Sequence, residues 1–308
     1  YTLKQLEVFV AVSRSENVSN AAKTLCLSQS ATSTSLGELE RQFGIKLFDR
    51  IGRSLSINKD GEKLLPHALE LIDRAKEIES QLAGFAILGD MHIGATLTIG
   101  NYLTNIIVAK FLQNYPESKI KLQVHNTESI IKKVRSHELD LGMIEGDCDH
   151  LDLNKQSWIS DELVIFGSPD HPLTRKKNIL LDDLINQAWV LREKGSGTRE
   201  VFDRAFKDSL HKMKIKLELE HTEAIKRSVE SGVGLGCISR LALKDELKAG
   251  NLIAINFKSA NIKLDRYFYF LWPKDKYQTN GIKQFLKMCK EMTDGIKRSD
   301  QINLPIIE

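Results

Sequence analysis

Cysteine is scarce in this 308-residue chain: Cys26, Cys148, Cys237 and Cys289 are scattered, with no CxxC spacing. That argues against a metal knot or a disulfide framework and suits a reducing cytosol; four ordinary, partly buried thiols are expected, with a redox-sensing pair as the alternative. No apolar run approaches ~18 residues and no signal peptide opens the chain, so the expectation is a cytoplasmic protein with no membrane partner. Charge excess is small as well, since 44 Lys and Arg against 41 Asp and Glu leave +3. Charge alone therefore does not indicate nucleic acid. Up to Asp60 the count is eight Lys/Arg against six Asp/Glu, a net of +2, so the positive excess leans to the front, and gripping a polyanion would need two copies or wrapping. Catalytic signatures are missing too. There is no HExxH, GxSxG or P-loop lysine, Gly232-Val-Gly-Leu-Gly236 lacks dinucleotide spacing, and the eight histidines are dispersed. No catalytic constellation, metal site or cofactor is expected. The length is too great for one ordinary domain and sufficient for two or three modest cores.

What is present begins with Val18 to Lys59. Ser19 is a candidate cap for a short helix through Leu25, Cys26 and Leu27 make a tight turn, and Ser28 caps a longer helix to about Phe43. That is helix-turn-helix spacing. Thr32, Leu36, Leu39 and Phe43 form one apolar stripe, which leaves Gln29, Ser30, Ser33 and Thr34 on the opposite face, small or amide side chains suited to base edges in a major groove. A turn signal between Lys46–Arg50 and Leu55–Ile57 reads as a β-hairpin wing that carries Arg50 and Arg53 towards a backbone or minor groove, with Lys59 following. A scaffold helix from about Leu3 to Arg14, with Leu3, Leu6, Phe9 and Val10 on one face, packs beneath.

Beyond the wing, Asp60 is a candidate cap for a long helix from Gly61 to about Leu88. On it Leu64, Ala68, Leu71, Ala75, Ile78, Leu82 and Phe85 recur in heptad spacing, and a lone helix with such a seam has to pair with something; a second copy of the chain is expected. A homodimer would set two reading helices on pseudo-palindromic double-stranded DNA.

After a hinge at Gly89-Asp90 the chain alternates: strand Ala95 to Gly100, helix Asn105 to Tyr115, strand Ile120 to His125, helix Glu128 to Ser136, strand Leu139 to Ile144. A second series follows: strands Glu162 to Gly167 and Trp189 to Leu191, a helix Thr198 to about Leu210, strand Lys216 to Leu219, a helix Glu223 to Ser231, strand Gly234 to Ser239. Strand Leu264 to Trp272 and helix Asn280 to Met292 close the chain. Short apolar strands alternating with helices predict a mainly parallel sheet in two similar halves with a cleft between them. Ligands of such sheets bind beyond the carboxyl ends of strands, which selects the turns Asn101-Tyr102-Leu103-Thr104, His125-Asn126-Thr127 and Glu193-Lys-Gly195-Ser196-Gly197-Thr198, with Glu145 at a strand end of less weight. Free backbone N–H groups of Gly195 to Thr198 and the hydroxyls of Ser196 and Thr198, with Arg199 adjacent, predict a cradle for a small anion.

The pattern Leu6-x-x-Phe9, Ala21-Ala22-x-x-Leu25, Leu27-Ser28-Gln29-Ser30-Ala31, Leu39-Glu40, Gly44-x-x-Leu47-Phe48-x-Arg50 resembles the winged helix-turn-helix of LysR-type transcriptional regulators. Many members carry Pro at the position of Ser30 and Arg at that of Thr34, so this chain departs from the pattern on its reading face. The resemblance implies an N-terminal all-α winged helix-turn-helix (1–60) with Ser28, Gln29, Ser30, Ser33, Thr34, Arg50, Arg53 and Lys59 on DNA. It also implies a linker and dimerisation helix (61–90). The remainder (91–308) would be an α/β effector domain of periplasmic-binding-protein type, lobe I being 91–160 with 267–300 and lobe II 161–266, bridged by strands near Ser160 and Asp265. Homodimers, tetramers and a meeting with RNA polymerase belong to the same expectation. Lys-Gly-Ser-Gly-Thr-Arg is similar to the effector loop of members that respond to sulfur oxyanions or carbon-fixation metabolites. A solute-binding module or an enzyme of binding-protein fold is the rival reading.

Overall fold

The computed structural model describes residues 1–52, 54–82, 88–257 and 262–302. They divide into two units. One holds Tyr1–Asp90, Tyr115–Lys119 and Pro273–Lys283; the other holds Met91–Asn114, Ile120–Trp272 and the chain from Gln284.

In the first unit Thr2 and Gln5 cap α1 (Leu3–Ser15) reciprocally, each side chain accepting the other's N–H. A helical turn, α2 (Val18–Thr24), leads through Cys26, in the left-handed region at φ 53°, into α3 (Gln29–Phe43). The wing is β1 (Phe48–Ile51) paired antiparallel with β2 (Ser54–Ile57), and α4 (Lys59–Leu82) follows. Leu6, Phe9, Leu36, Leu39, Phe48 and Leu69 share one core. The buried Glu40 accepts from the Leu47 N–H at 3.0 Å and so ties the start of the wing to α3.

The second unit carries a nine-stranded sheet. In chain order come β3 (Asp90–Thr96), α5 (Leu97–Ile99), a π-helical turn Gly100–Thr104, α6 (Asn105–Asn114), β4 (Lys119–His125), α7 (Thr127–Arg135) and β5 (Leu141–Glu145). The long β6 (Leu153–Gly167) crosses to α8 (Leu181–Ile185), β7 (Ala188–Arg192), α9 (Gly197–Ala205), β8 (Lys214–Leu219), α10 (Thr222–Glu230), β9 (Leu235–Ser239), α11 (Arg240–Ala249) and β10 (Ile253–Ala254). β11 (Asp265–Pro273) returns, and α12 (Asn280–Met292) closes the series. The spatial order β4-β3-β5-β11-β6-β9-β7-β8, with β10 on β6, makes β6 and β11 the bridge between two halves; β3 and β5 pair parallel in one, β7 with β8 and β9 in the other, and β11 and β6 join them by antiparallel pairs. The expected two-lobed α/β domain is present.

Several local expectations are corrected. α2 is capped by Asn17, whose side chain accepts from the Ser19 and Asn20 N–H groups, so Ser19 is inside the helix. Asn58 caps α4 in place of Asp60. Leu3 and Phe43 are exposed rather than buried in their stripes, with Phe43 beside the Tyr1 ring at 6.0 Å. The run Ala95 to Gly100 turns helical at Leu97: a fully buried helix start such as Leu97, Ile99 and Leu103 has the apolar density of a strand, and periodicity alone does not separate the two. The helix from Thr198 stops at Ala205, short of Leu210. The bridging strands expected near Ser160 and Asp265 are β6 and β11, whereas α8, α11 and β10 have no counterpart among the expected elements.

Candidate DNA-reading face and effector cleft

On α3, Thr32, Leu36 and Leu39 face the core while Gln29, Ser30, Ser33 and Thr34 are exposed on the other side. Ser28 accepts from the Ala31 N–H at 3.1 Å and sits 3.0 Å from the Ser30 hydroxyl, so its oxygen serves the helix first. Arg50 on the wing and Lys59 at the start of α4 are exposed cations, and Arg53 lies outside the described residues.

The heptad seam divides along α4. Ala68 is buried in the core of its own unit and Leu64 packs against it, as do Leu65, Leu69 and Ile72, which the seam did not include. Further along, Leu71, Ile78 and Leu82 are exposed at 40%, 57% and 84% and Ala75 is half-buried, whereas Phe85 lies outside the described residues. The apolar stripe has a covered first half and an open second half.

In the second unit the candidate effector residues separate into those already engaged and those left with unused hydrogen-bonding capacity. Leu103 and Thr104 are inside lobe I, the Thr104 hydroxyl donating to the Ile99 carbonyl at 3.1 Å, because the helix begins at Leu97 and carries them inward. The Tyr102 hydroxyl donates to Glu223 at 2.8 Å. Asn126 accepts from the Ser129 N–H and caps α7. Thr127 accepts from the Gly197 N–H at 3.0 Å and donates to the Glu145 carbonyl at 3.2 Å, stitching lobe I to lobe II. The neighbouring Glu128 N–H donates to the Gly195 carbonyl at 3.1 Å. So close is this approach that a Cβ on Gly197 would lie 1.9 Å from the Glu145 carbonyl oxygen. Gly195, at φ 87°, turns the loop into it. Two of the cradle's N–H groups are thus already occupied, Gly197 by Thr127 and Ser196 by the Glu193 carbonyl. Arg199 lines the larger cavity beside the loop, but its guanidinium is engaged by Asp203, Glu218 and the Arg192 carbonyl.

Beneath the cleft a buried charge cluster spans the bridge. Arg266 on β11 donates to Asp161 on β6 at 2.7 Å and to the Thr198 hydroxyl at 2.9 Å. It also lies 2.6 Å from Glu145, a charge contact whose angle is not that of a hydrogen bond. Burial opposes the Arg266 charge, but Glu145 and Asp161 outweigh it and leave its pKa raised. Asp161 in turn accepts from Ser239 and Ser299. Thr198 and Glu145 therefore belong to this cluster.

Among the buried hydroxyls without a partner, Ser118 precedes β4, and two others stand at helix starts. Ser196, just before α9, and Thr96, just before α5, are buried with no hydrogen-bond partner at oxygen. Both stand where a strand gives way to a helix, one on each lobe. Sequence reasoning misses Thr96 because it extends the strand past that residue; a Thr at a strand's end is the signal that finds it. Cavities open on both sides of the Thr127–Gly197 stitch. One of about 740 Å³ is lined by cations and carboxylates alike, Lys132, Arg135 and Lys194 with Glu128, Asp147 and Glu200, beside Ser196, and one of about 360 Å³ is lined by Leu97, Asn101, His125, Asn126, Glu193 and His221 among others. Among the described residues, no group of His, Cys, Asp and Glu could hold a metal ion and no helix is long and apolar enough to cross a membrane.

Residues 3–62 match the family model of bacterial regulatory helix-turn-helix proteins of the lysR family, and residues 88–294 match the LysR substrate binding domain. The chain is 38% identical to the HTH-type transcriptional regulator YeiE of Escherichia coli K12 over 291 residues, 94% of this chain and 97% of that protein. A full-length, singly substituted OxyR from Pseudomonas aeruginosa superposes with a TM-score of 0.71 at 20% identity over 94% of each chain, a likeness of fold. The Synechocystis PCC6803 CcmR regulatory domain, solved in complex with 2-PG, gives a TM-score of 0.62 at 28% identity, covering 68% of this chain and 99% of that one.

Proposed function

The chain belongs to the LysR family, as a DNA-binding transcriptional regulator with an effector-binding domain, and from that premise we propose that its signal is a small anion held between the lobes. The observation that carries this reading is the pair of buried, unpartnered hydroxyls of Thr96 and Ser196 at two helix starts. An unsatisfied buried hydroxyl is costly, and a ligand oxygen supplies its missing partner. Past the Gly197 N–H, which Thr127 already holds, the start of α9 adds the positive end of a helix dipole, and Lys132 and Lys194 line the larger cavity with Ser196, alongside the carboxylates of Glu128, Asp147, Glu200 and Asp203. Oxyanions fit such a donor set, whether sulfite-like, phosphorylated or carboxylate, and CcmR was solved with 2-PG.

A thermal-shift panel on the full chain tests it, using sulfite, sulfate, thiosulfate, phosphate, 2-PG and small carboxylates. One anion at about 100 times its Kd should stabilise the effector domain by about 2.7 kcal/mol. Ser196→Ala should abolish that shift while leaving the ligand-free transition nearly in place, because its hydroxyl has no partner to lose. A panel in which only neutral or cationic compounds shift the transition would sink the anion reading.

On DNA, the same proposal has two copies of the chain joined through Leu71, Ile78 and Leu82, working in the cytoplasm on pseudo-palindromic sites. Gln29, Ser30, Ser33 and Thr34 are assigned to base edges, and Arg50 and Lys59 to phosphate or the minor groove, with Arg53 of the same wing joining them. Replacing Arg50 with alanine should weaken binding to all sequences and lower the slope of log affinity against log salt by about 1, whereas Ser33→Ala should chiefly change which site is preferred. Equal losses for Ser33→Ala on selected and random DNA would show that the reading face is elsewhere.

A further inference from the structure

Tyr102 starts in lobe I and ends in lobe II. It sits in the π-helical turn Gly100–Thr104, a departure from the i→i+4 ladder that is frequent at functional sites. Its ring packs against the lobe II cluster that contains Val164, Phe166, Val190, Ile225 and Val229. Its hydroxyl donates to Glu223 at 2.8 Å and accepts from Lys226 at 3.3 Å. Lys226, only 5% exposed, is fixed from behind by Glu246 at 2.6 Å and the Ala242 carbonyl at 3.2 Å. Burial first, then the bond to Glu223, pushes the Tyr102 hydroxyl up to about 12, so it remains a donor under all ordinary conditions. Burial opposes the Lys226 charge, but Glu223 and Glu246 outweigh it and raise its pKa. A side chain from one lobe thus packs its half-buried ring against the other lobe's core and completes a charge-assisted network there.

We propose that Tyr102 is a positioning residue, a latch that sets how much of the ligand-free chain holds its lobes closed. The closed arrangement is the one in which Thr127 meets Gly197 and Glu128 meets Gly195, forming the wall of the effector cleft. Binding affinity scales with the fraction of molecules already competent, so the latch tunes effector affinity without touching the effector. That last step rests on the cleft-binding reading above; closure itself does not.

Hydrogen exchange on the full chain without ligand reads closure directly, because the Glu128 and Gly197 amides are protected across the cleft only when the lobes meet. Tyr102→Phe keeps the ring and removes the hydroxyl, and should speed exchange at both amides by about tenfold, with the amides of α3 unchanged. Glu223→Gln should give a smaller acceleration, and the double variant no more than Tyr102→Phe alone, the non-additivity expected of one network. With sulfite as the probe, the dissociation constant of Tyr102→Phe should rise by the ratio of the closed fractions that exchange gives for the wild type and the variant. Unchanged exchange overturns the latch, and a sulfite affinity that does not follow the closed fraction overturns its effect on binding. Faster exchange in a chain whose wild type binds no anion in the panel leaves the latch standing and removes the anion reading.

Discussion

Replacing Ile78 with glutamate is expected to convert the regulator from dimer to monomer in sedimentation and to lower its affinity for DNA enriched from a random pool by about 10²–10⁴-fold. That is the range by which joining two modest binding modules exceeds either alone. The expectation follows from how α4 is divided. Its first half is committed to the core of its own unit through Leu65, Ala68, Leu69 and Ile72, so the substitution leaves that core intact. Ile78 is 57% exposed, with Leu71 and Leu82 on the same open stripe. A charge at this position costs the isolated chain little, and costs a seam between two chains the desolvation of a carboxylate among apolar side chains. The front of the molecule carries a net charge of only +2 up to Asp60, too little for one module to compensate on the phosphate backbone. Unchanged sedimentation together with unchanged DNA affinity would show that this stripe is not the seam.

Arg266→Ala is the second large effect expected, this time on stability. The substitution leaves Glu145 and Asp161, which are 1% and 2% exposed, without the cation that lies between them, and leaves the Thr198 hydroxyl without its donor. Breaking a buried ion pair from one side typically costs about 3–5 kcal/mol, because an uncompensated charge remains. In an effector domain of this size that is a drop of about 10 °C in the corresponding thermal transition. Arg266→Lys should fall between, since an ammonium keeps the charge but cannot fork to Asp161 and Thr198 together. Removing the stranded charges with Glu145→Gln and Asp161→Asn should restore part of the loss. If Arg266→Ala unfolded within about 1 kcal/mol of the wild type, the cluster would have to be open to water, contrary to its burial.

How much of this is legible in the sequence varies with how local the cause is. The helix-turn-helix can be read because its signals are short-range: Ser28 does cap α3, and Cys26 does turn the chain. Caps shift by two residues where two polar side chains compete, Asn17 against Ser19 and Asn58 against Asp60. Alternation of strands and helices is enough to give the two-lobed sheet, whereas α11 escapes notice because only its partners in lobe II make it a buried helix. The cleft is legible as a set of turns but not as an arrangement. Thr127, Thr198 and Glu145 are at the expected strand ends, yet each is taken up by a residue far away in sequence, Gly197 or Arg266, and no spacing rule reveals that. The same holds for Tyr102, whose partners Glu223 and Lys226 lie on the opposite lobe. The front of the heptad pattern on α4, Leu64 and Ala68, is a core pattern, and the two uses of an apolar residue look alike until burial separates them.

The strand order has a consequence for synthesis. β11 lies between β5 and β6, so the wall that carries Arg266 under the cleft waits for a strand made after β6 to β10, whereas α1 to α3 and the wing precede them all in the chain. Domains fold as units during translation, N-terminal first. The DNA-reading module is therefore ready long before the sensor that governs it, and any chain cut short ahead of Asp265 carries a complete reader with an unfinished switch.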